Sequence, residues 1–91
     1  MLSLFMVNKI KHFSITDIVK KKFSNARSRG ILSKDSQGNT YFYGVTIKDS
    51  DFITQILFVG LDHKIHQAVV NTLPSLQEAE QFIKEYKETI K

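Results

Sequence analysis

His63-Lys64-Ile65-His66 places two imidazoles three residues apart. On a helix that spacing turns both rings to one side, where they can share a metal ion. Here the pair follows Leu61-Asp62 and leads into a β-branched run, so it straddles a turn and a strand start. No cysteine and no third ligand completes a set. We read one turn histidine and one strand-face histidine, with no metal and no cofactor. Asp49-Ser50-Asp51 offers two carboxylates to a cation, yet the same three residues are ordinary turn chemistry and are read as a turn. The four glycines, Gly30, Gly38, Gly44 and Gly60, are scattered, so nothing here cradles a phosphate. No nucleophile elbow is present, and the carboxylates fall in turns and on the last helix instead of forming a buried acid–base pair. The chain reads as a non-enzyme without catalytic residues.

Two constellations suit binding instead. Tyr41-Phe42-Tyr43 could stack bases if cations flanked it. The strands around it supply Lys48 and Lys64 against Asp49, Asp51 and Asp62, so packing is the better reading. The cations concentrate elsewhere. Residues 1–34 hold eight Lys and Arg against Asp17, a net +7; residues 35–91 hold five against eight acids, a net −3. Lys20, Lys21, Arg27, Arg29 and Lys34 suit phosphate contacts, with Ser24, Asn25 and Ser28 as hydrogen-bonding neighbours. The competing reading is a solvated basic helix lying beside an acidic one and attracted to it.

The elements that position these residues follow from periodicity. Ser14-Ile15-Thr16-Asp17 opens a helix, with Ser14 as N-cap and Asp17 in the first turn. Ile15, Ile18, Val19, Phe23 and Ala26 make its apolar stripe, and Gly30 is its expected C-cap. The period then becomes two. Ile31–Lys34 reads as a short edge strand and Asp35-Ser36-Gln37-Gly38-Asn39 as a turn. Thr40–Lys48 is a full strand, Phe52–Leu61 a third and Ile65–Thr72 a fourth, with Ile65 and Val69 expected on one face and Ala68 and Val70 on the other. Short connections imply an antiparallel meander. Ser75-Leu76-Gln77-Glu78 starts a final helix with the pattern of a capping box, and Leu76, Ala79, Phe82, Ile83, Tyr86 and Ile90 form its stripe. The fold class is therefore α+β: helix, four-stranded antiparallel meander and C-terminal helix, with both helices expected on one sheet face.

The third strand is apolar on both of its faces: Phe52, Ile56 and Phe58 on one, Ile53, Leu57, Val59 and Leu61 on the other. A strand so patterned needs cover on both sides. With both helices on one face, Tyr41, Tyr43, Phe52, Ile56 and Phe58 become a candidate interface, most simply with a second copy of the chain.

Ninety-one residues suffice for one domain, 14–91, preceded by an arm or short helix over 1–13. A cysteine-free chain excludes a disulfide framework and fits a reducing cytoplasm. No stretch has the length of a membrane span, and the short apolar run at the start lacks the basic flank of a secretory signal.

Three short resemblances bear on function. The element order resembles the double-stranded-RNA-binding domain, whose final helix begins with basic residues where this chain has Gln77, Glu78 and Glu80. Thr72-Leu73-Pro74-Ser75-Leu76-Gln77-Glu78-Ala79 resembles the arm-binding module of phage integrases, without that module's basic sheet. Gly38-Asn39-Thr40-Tyr41, Ile56-Leu57-Phe58-Val59-Gly60 and His63-Lys64 resemble RelE-like messenger-RNA-cleaving toxins over about 30 residues. That likeness implies a ribonuclease acting through Tyr41, His63, Lys64 and His66, although Phe42 stands where those toxins carry an arginine. None of the three carries a function across. The reading is a small non-enzymatic binding module, a homodimer through its sheet, with a basic first helix suited to nucleic acid. The alternative is a protein-interaction or inhibitor module using the apolar sheet face, and a RelE-like toxin stands third.

Overall fold

The computed structural model describes residues 14–91. The expected arm over 1–13 lies outside them. Helix α1 spans Ile15–Lys22, followed by strands β1 (Ser28–Lys34), β2 (Thr40–Lys48), β3 (Asp51–Val59) and β4 (Ile65–Leu73), and then helix α2 (Leu76–Thr89). The strands form one antiparallel sheet in the order β1-β2-β3-β4, the meander expected from the short connections. Both helices pack on that sheet, and the fold is α+β.

Their placement corrects the expectation of a shared face. Phe42 pairs with Leu57 and Tyr43 with Ile56, so alternation sends Phe42 and Leu57 to one side and Tyr43 and Ile56 to the other. Val19 and Phe23, at the end of α1, bury against Phe42, Leu57 and Val59. Ala79 and Ile83 of α2 bury against Leu32, Val45 and Ile56. One helix therefore lies on each face. β3 ends at Val59, and Leu61, expected to continue it, is 82% exposed. The rest of the two-sided pattern of β3 has a helix on each face, each buried large residue gaining roughly 1.5–3 kcal/mol.

α1 ends sooner than its apolar stripe suggests. Lys22 is its last residue, Phe23 leaves helical geometry with φ −116° and ψ 43°, and β1 begins at Ser28. Phe23 and Ala26 keep helical spacing in the sequence, but the Phe23 ring lies directly on Gly44 of β2, where a side chain of any kind would overlap it. Gly30 is no helix cap: it sits inside β1, opposite Tyr43.

Two bulges set the faces of the edge strands. Ile31 and Ser33 pair with Phe42 and Tyr41, leaving Leu32 as the extra residue, buried beneath α2. In β4, Ile56 and Leu57 pair with Val69 and Gln67, which skips Ala68. The skipped residue reverses the alternation. Ile65 opposes Val59 on the α1 side while Val69 opposes Ile56 on the α2 side, so these two do not share a face as expected.

The turns hold the strands in register. Asp49 and Ser50, with φ of 52° and 71°, form a two-residue turn closed by the Lys48–Asp51 pair, the geometry of a type I′ hairpin. The Asp35–Asn39 turn is organised by one carboxylate. Asp35 Oδ1 accepts the Gln37 and Asn39 amides at 2.9 Å each, and its Oδ2 accepts Asn39 Nδ2 at 2.9 Å and the Tyr41 hydroxyl at 3.3 Å. At the start of α2, Ser75 Oγ accepts the Glu78 amide, the N-cap half of a capping box, while the Glu78 carboxylate accepts from the Ser75 hydroxyl in place of the Ser75 amide.

Candidate polyanion interface

α1 is a short helix whose charges follow its dipole. Ser14 accepts the Asp17 amide at 3.3 Å, Asp17 lies in the first turn, and Lys20, Lys21 and Lys22 occupy the last. Successive residues on a helix are about 100° apart, so three consecutive lysines wrap around it instead of lining one side. Lys20 faces β1 and, with Thr16, Val19, Arg29, Gly30 and Ile31, lines a groove of about 250 Å³. Lys21 and Lys22 face the other way. Together with Ile18, His63 and Ile65 they line a groove of about 510 Å³ between α1 and the start of β4.

The sequence-predicted cations divide accordingly. Arg29 is a structural group: its Nη1 donates to the Phe23 carbonyl at 3.1 Å, capping α1 and placing positive charge at the negative end of the helix. Arg27 and Lys34 stand at opposite ends of β1, roughly 23 Å apart at the rise of an extended strand. Lys20, Lys21 and Lys22 form the compact centre. Among the described residues, no carboxylate lies within ion-pair distance of these three, of Arg27 or of Lys34.

The acidic residues are elsewhere. α2 carries Glu78, Glu80, Glu85 and Glu88 against Lys84 and Lys87. Because α2 covers the opposite face, the sheet stands between it and α1, a separation on the order of 20 Å. That exceeds the Debye length of about 8 Å at physiological salt. A basic helix neutralised by an acidic neighbour is therefore not what the fold builds.

Tyr41, Tyr43, Phe52, Ile56 and Phe58 all lie on the α2 face. Ile56 is fully buried, and Tyr41, Tyr43 and Phe52 are half-buried in the cluster that receives α2. They form the bed of a helix instead of an open face for a partner. Phe58 continues a row across the sheet. Its ring centroid lies 5.2 Å from Tyr41 and 5.1 Å from His66, the latter stacked at 23°, and Tyr41 also meets Tyr86 of α2 at 6.2 Å.

The two histidines separate. His66 is on the α2 face, its Nε2 at 3.2 Å from Asp62 Oδ2, while His63 has φ 61° in the turn and faces the groove beside α1. They do not converge on one ion, and no cluster of metal-ligating residues occurs among the described residues. Phe58 also separates Tyr41 from His66, so the residues of the toxin resemblance are not gathered around one cleft. Two carboxylates are shifted by their turns. Hydrogen bonds from Asn39 above all hold Asp35 below the usual carboxylate value, and the Lys64 amide, then His66, do the same for Asp62. Burial, then the Asp35 charge, pushes the Tyr41 phenol up.

Sequence reasoning missed the capping role of Arg29, whose partner is a backbone carbonyl that no side-chain pattern marks. It also missed Thr54, fully buried with its hydroxyl unpartnered, although a threonine amid Phe52, Ile53, Ile56 and Leu57 was a visible signal. Among the described residues, no helix is long and apolar enough to cross a membrane. No family model, no curated protein and no solved structure matches the chain.

Proposed function

We propose that the protein is a non-enzymatic binding module that holds a polyanion, nucleic acid first among them, against the α1 face. The observation that carries this reading is the placement of Lys20, Lys21 and Lys22 on the face opposite the glutamates of α2, with no carboxylate in ion-pair distance among the described residues. Arg27 and Lys34 extend the positive surface along β1. Contacts of this kind neutralise phosphates without reading sequence, so affinity should depend steeply on salt and weakly on base order. A second copy of the chain is the partner we assign to this module.

Fluorescence anisotropy of labelled single- and double-stranded DNA and RNA, titrated in salt, tests the reading. Replacing Lys20, Lys21 and Lys22 together by Ala should reduce the slope of log affinity against log salt by about 2–3 and weaken all sequences alike. Replacing Lys84 and Lys87 of α2 by Ala should leave both unchanged. An absence of binding at low salt would overturn the assignment and turn attention to a protein partner. Equal losses from the two sets would remove α1 from the interface.

A further inference from the structure

Among the described residues the sheet has two edges, β1 and β4, and they are finished differently. β1 carries Arg29 and Lys34, a glycine and the Leu32 bulge, all devices that discourage another strand from adding. β4 reads Ile-His-Gln-Ala-Val-Val-Asn-Thr-Leu. It is the one strand of the four with no Lys, Arg, Asp or Glu, and Pro74 falls just outside it. Ile65 and Val70 are 44% and 42% exposed, so the edge offers apolar side chains as well as backbone. Every second residue of an edge strand also turns its amide and carbonyl outward.

We infer that β4 is an association edge and that its partner is β4 of a second copy, paired antiparallel about Asn71. Beyond the Ala68 bulge, Val69–Leu73 pairs regularly with β3, which leaves a straight five-residue edge. Self-pairing in that register sets Val69 against the copy's Leu73 and Val70 against its Thr72, and the two Asn71 amides meet on the two-fold axis. Apolar and β-branched pairs oppose one another and no charge meets a like charge, the combination that stabilises cross-strand contacts. β1 is less suited to such pairing, because the Leu32 bulge interrupts its edge and Arg29 and Lys34 leave that edge positively charged. The two-fold axis stands perpendicular to the sheet, so both α1 helices fall on the same side of an eight-stranded sheet. This inference stands apart from the polyanion reading, since its readout is mass.

Sedimentation equilibrium of the full chain, from low micromolar to submillimolar concentration, should give twice the 10.5 kDa chain mass. Val70→Lys with Thr72→Lys sets lysine against lysine across the axis. Both positions are exposed, so circular dichroism should be unchanged while the dimer dissociation constant rises at least tenfold. The cysteine-free chain allows a second measurement. Asn71→Cys should cross-link into a disulfide dimer on mild oxidation, and Ile47→Cys, exposed but away from the edge, should not. A monomer throughout the range, a double-lysine variant that still dimerises, or equal cross-linking at the two cysteines would each overturn the inference.

Discussion

Thr54 is fully buried beneath α2, between Val45 and Asn71 in the sheet, and its hydroxyl finds no partner. Valine has nearly the same shape without the unmet hydrogen bond. Thr54→Val should therefore stabilise the fold by about 1 kcal/mol, read as a higher urea midpoint at unchanged slope. Gly44 makes the opposite case. Its missing side chain is the space the Phe23 ring occupies, so Gly44→Ala should cost about 1–3 kcal/mol and release the end of α1 from the sheet. Asp35 adds a pH dependence. Its folded value lies below the unfolded one, so the ionised turn contributes stability above about pH 4, and that contribution disappears as pH falls through the carboxylate range. Asp35→Ala should be less stable than the parent at neutral pH, by a gap that narrows as the pH is lowered to the acid end of the carboxylate range. A gap of constant size would show that the carboxylate's charge is irrelevant to the turn.

At the scale of elements, the β2–β3 hairpin places two non-glycine residues in left-handed geometry, Asp49 at φ 52° and Ser50 at φ 71°. Asn-Gly is the sequence that this turn prefers, so Asp49→Asn with Ser50→Gly should raise stability by about 0.5–1.5 kcal/mol, measurable in the same denaturation. The extent of each element was unevenly legible. β2 runs Thr40–Lys48 as its composition suggested, because turn residues delimit both ends. The end of α1 was not, since Phe23 and Ala26 continue a helical stripe while in fact serving the contact with Gly44 and the lead into β1. Periodicity identified the apolar face of each helix but held no information on which side of the sheet the helix would cross to. That missing choice is why Ile56 looked like a contact for a partner. In the folded chain it is core, and Ile56→Asp should abolish folding outright by burying a charge without a counterpart. A well-folded Ile56→Asp variant by circular dichroism would refute the two-sided cover.

The candidate site belongs to the whole molecule and was partly readable. Lys20 and Lys21 were named from composition; Lys22, the last residue of α1, is exposed and lines a groove with Lys21. Arg29 has a second task that composition did not show, a hydrogen bond to the Phe23 carbonyl at the end of α1. What no sequence pattern conveys is that the sheet stands between the basic and acidic helices. Among the described residues the same arrangement sets the lysines of α1 against the glutamates of α2 across the sheet, an electric dipole directed through it. In the field of an anionic surface such a body experiences a torque before it makes any contact, and it arrives α1 first. Orientation on approach shortens the search among wrong poses, so association should slow with added salt more than dissociation quickens. Reversing the sign of α2 with basic residues would leave net attraction stronger yet abolish that turning moment. Binding would then become tighter but less selective in its pose, a separation of affinity from alignment that stopped-flow and fluorescence-polarisation measurements on the same variant would reveal.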